Sequence, residues 1–316
     1  MLHYLIKRVG SSLFVLFLLS LMVFAMVRAI PGDPVAALVD QNNPDPAVIA
    51  SLRHELGLDR PFWIQYFSWI GGVLQGDFGQ SLTKPYTVMQ LVAGRMPVSI
   101  ELAIMATVIG LVIGIPVGLW AARRINGVFD TSSRFLSFAF LAIPPFALGT
   151  VLLLLNSLTV RAQLFGYVPF AQDPVRNLSV FLLPALLLGV VMAAVIMRYL
   201  RGTLLDTFSQ DFVKTARAKG ALPGRIITRH AFRNALIPVT TVVGIELGTL
   251  VGGTVVVETV FSLPGFGTTL VDAIRSSDYP VIQACVLLIG CVYVLINFVI
   301  DLMYPIIDPR VRSLAS

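Results

Sequence analysis

The chain has 316 residues, of which 56% are hydrophobic and only 13% charged, and its mean hydropathy is +0.85. A soluble domain carries about a quarter charged residues, so too few polar side chains exist here to coat a water-facing surface; disorder, a collagen-like repeat and a small disulfide scaffold are excluded by the same numbers. The net charge of +6, in a chain this apolar, points to basic loops beside a membrane rather than to nucleic-acid binding.

A helix needs about 20 apolar residues to cross the hydrocarbon layer. Six runs have that length, at 9–27, 102–122, 135–160, 178–197, 235–257 and 281–300. They are continuous, unlike the alternating strands of about ten residues in a membrane barrel. Backbone groups in lipid must be satisfied within their own segment. The prediction is an all-α polytopic membrane protein with six transmembrane helices. It divides into a first helix with a long loop over 1–96, a core over 97–304 and a tail over 305–316. The first run follows Lys7 and Arg8 but is too long for a signal-peptide core and lacks an Ala-x-Ala site, so it reads as an uncleaved anchor. With the N-terminus inside, the inner segments hold 15 Lys and Arg and the two short outer loops hold 3. Both termini are therefore expected on the cytoplasmic side.

The long outer segment 31–97 opens with the turn Pro31-Gly32-Asp33-Pro34 and then carries helical patterns near 46–56 and 61–73. The second pattern places Trp63, Tyr66, Phe67, Trp69 and Ile70 together, as in a helix lying at a membrane interface. The segment reads either as a cap packed on the spans or as a docking surface for an outside partner.

The inner segment 198–234 is the most informative. Ser209 is read as the N-cap, and Asp211 as the first-turn acid, of a helix running through Phe212, Val213, Thr215, Ala216, Arg217, Ala218 and Lys219. Gly220 suits a left-handed helix stop, and Ala221 follows it. Pro223 suits the first position of a second helix that carries Arg225, Arg229, His230, Arg233 and Asn234. The first helix has an apolar stripe of Phe208, Phe212 and Ala216 and is too short to be stable alone. Either lipid headgroups or a groove on another protein must cover it.

Inside the spans, Gly110, Gly114 and Gly118 stand at i, i+4 and i+8, and Gly244, Gly248 and Gly252 repeat that spacing. Such rows let helix backbones approach closely, either as fixed packing or as a surface on which helices slide. Glu246 is a carboxylate deep in a span, where a charge costs about 3 kcal/mol. It reads either as a hydrogen-bonded structural group or as a lining residue of a substrate path. Glu101, Glu258 and Asp301 fall near span ends, where solvation is expected to be easy. Cys285 and Cys291, six apart, are not expected to form a disulfide. His230 has no second ligand near it, and no metal site or catalytic constellation is visible.

The stretch Asp211–Gly220, followed by His230-Ala-Phe-Arg-Asn-Ala-Leu-Ile-Pro238, resembles the EAA loop of bacterial ABC importer permeases. Its wording is similar to the dipeptide, oligopeptide, glutathione and nickel permeases. Pro31-Gly32-Asp33-Pro34, Gly57-Leu58-Asp59-Arg60-Pro61, Gly76-Asp77-Phe78-Gly79, Pro264-Gly265-x-Gly267, Asp278-Tyr279-Pro280 and Asp308-Pro309-Arg310 extend the likeness over nearly the whole chain. Leu222 departs from it, standing where a Ser or Thr cap is usual. The resemblance implies a type I importer permease fold in a bacterial plasma membrane, with Asp211–Ala221 as the coupling helix and its stop. It further implies a second permease subunit, separate ATPase subunits that bind ATP and magnesium, and an extracytoplasmic solute-binding protein. The solute it implies is a peptide first, with nickel or glutathione open. The chain has no Gly-x-x-x-x-Gly-Lys-Ser/Thr phosphate loop, so the energy is expected to come from a partner. The rival classes, an autonomous secondary transporter and an intramembrane enzyme, would need an inverted repeat or a catalytic constellation, and neither is visible.

Overall fold

The computed structural model describes residues 2–29, 46–55, 57–220, 224 and 231–307. Among these residues the chain is helical, and the only strand-like pairing is an isolated bridge between Gln80 and Thr87. The turn expected at 31–34 lies outside them. In chain order the helices are α1 (Leu2–Ala29), α2 (Pro46–Glu55), α3 (Phe62–Leu74), α4 (Val88–Arg123), α5 (Val128–Ala142), α6 (Pro145–Leu158), α7 (Pro174–Phe208), α8 (Asp211–Ala218), α9 (Phe232–Val260), α10 (Phe266–Arg275) and α11 (Tyr279–Ile307).

Five of these helices are long and apolar enough to cross a membrane, and a sixth span exists if α5 and α6 count as one. The continuous span expected at 135–160 is not continuous: α5 and α6 meet at an angle of 95°. The cause is Pro144-Pro145. A residue before proline is pushed out of the helical region, and both Ile143 (φ −95°, ψ 122°) and Pro144 (φ −58°, ψ 134°) are extended. At 102–122 the opposite happens. The helix begins at Val88, because Val88, Val92 and Val98 all find buried positions and carry the helix through Pro97.

The chain divides into two compact units. One comprises Ile100–Leu263 with Met1–Tyr4 and Leu295–Ser316. Its core is α7, which packs against α5, α6, α8 and α9. Over 178–197 the α7 sequence is apolar but for Ser179, and Phe181, Ala185, Met192, Ile196, Met197, Leu200 and Leu204 are buried along the helix, as expected of a helix enclosed by others. Asp173 caps α7 by accepting from the Arg176 N–H at 2.9 Å. The Arg176 guanidinium then donates to the Phe165 carbonyl at 3.1 Å and to Gln163, which pins the segment between α6 and α7. Tyr167 in that segment has its phenol pushed up by burial and by the Glu101 charge.

The other unit comprises Leu5–Ser99 with Pro264–Val294. Here α3 packs one face on α1: the Tyr66 and Ser20 hydroxyls are 2.8 Å apart, and Phe24 stacks edge-on with both Phe62 and Tyr66. Trp63 and Phe67 face outward and exposed, so the aromatic cluster divides between packing and an exposed face. A fully enclosed carboxylate, Asp278, gathers the 81–83 segment. It accepts from the Leu82 N–H at 3.1 Å, from the Thr83 hydroxyl at 3.0 Å and from the Ser81 hydroxyl. Cys285 and Cys291 are free.

Two local expectations are corrected. Ser209 does not cap α8. It closes α7 in a helical conformation, and its hydroxyl donates to the Asp206 carbonyl at 2.7 Å; Gln210 stands before α8 and its carbonyl takes the Val213 and Lys214 N–H groups. Glu258 is not at an easily solvated span end. It is fully buried, because the chain after α9 turns back through Phe261 and Leu263, both buried, with the Leu263 N–H on the Glu258 carbonyl at 2.9 Å.

Candidate functional site

The short helix α8 follows α7 after a two-residue break and packs against it. Asp211 opens it and receives the Lys214 ammonium at 2.8 Å across one turn, while the Thr215 hydroxyl donates to the Asp211 carbonyl at 2.9 Å. The apolar stripe is split. Val213 is 0% exposed, turned into the chain's own core, whereas Phe212 is 44% exposed and Ala216 half-buried. Ala218, Lys219 and Gly220 are exposed, and Gly220 has φ +81°, the left-handed stop that glycine adopts without steric cost. The Arg217 side chain, Ala221, Arg225, Arg229 and His230 lie outside the described residues; Asn234 falls in the first turn of α9, its side chain outside them also. The geometry is a short stub in contact with α7, with Val213 buried and Phe212 presented outward.

What fastens the base of this stub was not legible as a site in the sequence. Asp130, in the first turn of α5, is fully buried and takes a two-pronged contact from Arg201 of α7, Nε to Oδ1 at 2.5 Å and Nη2 to Oδ2 at 2.8 Å. The Asn126 N–H adds a third donor at 2.9 Å. A bidentate guanidinium–carboxylate pair fixes direction as well as distance. It ties the α4–α5 corner to α7 some eight residues before the chain breaks toward α8. The sequence offered only the charges themselves, 71 positions apart.

The two glycine rows are used differently. A Cβ on Gly114 would stand 2.9 Å from the Ala193 carbonyl oxygen, one on Gly118 3.1 Å from the Met197 carbonyl oxygen, and one on Gly110 2.8 Å from the Met192 side chain. Gly189 of α7 returns the contact against Ile109 and the Ala106 carbonyl. In the second row Gly244 is closed by Ile300, Gly248 is buried, and a Cβ on Gly252 would meet no atom of the described residues within 4 Å. Ile245, Thr249, Gly252 and Val256 form an exposed stripe on α9. Glu246 borders that stripe, half-buried. The Thr249 hydroxyl donates to its carbonyl at 2.8 Å, and Arg198 lies within electrostatic reach.

Comparison with known proteins places this arrangement. Residues 114–313 match the family described as the binding-protein-dependent transport system inner membrane component, and residues 1–103 match the N-terminal part of the same kind of component. The chain belongs to this permease family. It is 36% identical to the di/tripeptide transport system permease protein of Pseudomonas aeruginosa (strain UCBPP-PA14), with 99% of each chain covered. It is 35% identical to the dipeptide transport system permease protein of Escherichia coli (strain K12), again over 99% of each. Among solved structures, the methionine ABC transporter in an inward-facing conformation matches with a TM-score of 0.56 at 22% identity, over 70% of this chain and 97% of that one. The likeness to that structure is one of fold, the type I importer arrangement. The permease is thus a multi-span membrane component of a transport system.

Proposed function

We propose that this permease imports peptides, and that separate ATPase subunits drive it through α8. The observation that carries the reading is α8 itself: a two-turn helix with Val213 locked inward and Phe212 presented outward, on a chain whose full-length relatives are named for di- and tripeptide or dipeptide transport. A helix this short draws its stability from packing, and its free face suits a groove on a partner. ATP and magnesium belong to that partner. A second, similar permease covers the exposed α9 stripe and completes the path, with Glu246 at its wall, and an extracytoplasmic binding protein delivers the solute. Both termini lie on the cytoplasmic side with α8.

The test is reconstitution of the complete complex in liposomes and measurement of ATP-dependent tripeptide uptake. Phe212→Asp, at an exposed position, is expected to lower uptake at least tenfold while the two permeases still co-purify. Undiminished uptake removes α8 as the drive point. A wild-type complex that hydrolyses ATP and moves nickel or glutathione but no peptide removes the solute assignment.

A further inference from the structure

At the corner between α4 and α5, Trp120, Arg123, Arg124 and Phe129 line a cavity of about 290 Å³. The two aromatic rings meet edge-on at 5.6 Å and form one wall. The two guanidinium groups are exposed and have no ion-pair or hydrogen-bond partner among the described residues. The acid in this turn does not neutralise them, because Asp130 is buried and held by Arg201. The turn itself is set: the Gly127 N–H donates to the Arg124 carbonyl at 3.1 Å, and Asn126 is left-handed at φ +59°. The first N–H groups of α5, which have no partner within their helix, begin beside the cavity and favour negative charge.

We propose that this cavity binds the headgroup of an anionic phospholipid, on the side of the membrane where α8 lies. The Arg201–Asp130 contact places the corner beside the end of α7 that leads into α8. Charge selects the anion: two exposed guanidinium groups, unpaired among the described residues, offer planar donors suited to a phosphodiester. The apolar approach selects a lipid over a free anion. Ile104, Val108, Val112, Pro116 and Trp120 recur every fourth residue along α4, all exposed, and form a continuous track for an acyl chain that ends at the cavity. Trp120, 65% exposed at the end of a span, stands where tryptophan is enriched at membrane boundaries. Basic pockets at helix ends on the inner side are known lipid-headgroup sites.

The experiment is native mass spectrometry of the purified full-length permease after delipidation and incubation with equal amounts of phosphatidylglycerol and phosphatidylcholine. Phosphatidylglycerol is expected to be retained selectively. The double variant Arg123→Gln/Arg124→Gln should lose that preference about tenfold with unchanged helical content, since both side chains are exposed. Arg198→Gln, which removes a cation outside the cavity, should leave it unchanged. Equal loss in Arg198→Gln overturns the site in favour of diffuse charge attraction. Displacement by millimolar inorganic phosphate overturns it in favour of a free-anion site. Release of the lipid on addition of the ATPase subunits overturns it in favour of a protein contact.

Discussion

The two glycine rows are the same word in the sequence and different objects in the structure. The row in α4 is closed at all three positions by α7, with backbone oxygens at Gly114 and Gly118. The row in α9 closes at Gly244, stays buried at Gly248, and opens completely at Gly252. Spacing of i, i+4 and i+8 says only that a helix has a flat face. What lies on that face depends on the neighbour, and the neighbour is a property of the fold. The α4 row is internal packing, completed by small residues on the other side at Gly189 and Ala193. The α9 row passes from internal packing to an uncovered surface within two turns.

If the α4–α7 contact is fixed rather than sliding, the strongest way to disturb it is to remove the pair that ties its end. Arg201→Ala leaves the Asp130 carboxylate buried with one backbone donor and no bonded cation, only Arg134 at electrostatic range. Loss of one partner from a buried pair costs about 3–5 kcal/mol, so a large drop in melting temperature in detergent is expected. Asp130→Asn, which keeps an acceptor and leaves Arg201 able to reach solvent, should cost less. A wild-type melting temperature in Arg201→Ala would show that the corner is not held there. Next in size is Gly114→Ala. Its methyl must push on the Ala193 carbonyl, a backbone atom with no rotamer to escape into, and overpacking of this kind costs about 1–3 kcal/mol. An unaffected Gly114→Ala would mean that α4 and α7 separate freely, and the contrast between the two rows would vanish.

Much of this was readable beforehand, for physical reasons that also mark the limit. The length of apolar runs predicts spans because the membrane imposes a length. That signal located five unbroken helices but not the 95° break, which depends on Pro144-Pro145 inside a run that is otherwise largely apolar. The α8 helix and its Gly220 stop follow from local chemistry and were legible at nearly residue resolution. Ser209 misled because its hydroxyl can serve either the end of one helix or the start of the next, and only the two-residue break decides. Val213 and Phe212 are equally apolar in sequence; which one is buried is set by the direction in which the chain leaves Gln210. Asp130 with Arg201, and Asp278 with Ser81 and Thr83, are long-range pairings to which no local pattern points.

The smallest expected effect sharpens the comparison most. Gly252 sits in the interior of α9 with open space where a side chain would be. An interior glycine weakens a helix by about 1 kcal/mol relative to alanine, so Gly252→Ala should leave the melting temperature of the permease alone unchanged or slightly higher. Gly252→Leu should also be tolerated by the isolated chain, because the position is exposed and no atom of the described residues lies within 4 Å of an added Cβ. If a second permease closes on the stripe of Ile245, Thr249, Gly252 and Val256, the leucine meets that partner instead. Recovery of the heteromeric complex in a pull-down should then fall several-fold while the yield of the single chain holds. Should Gly252→Leu assemble as well as wild type, the open end of the row faces lipid, and the second permease must seat on another face.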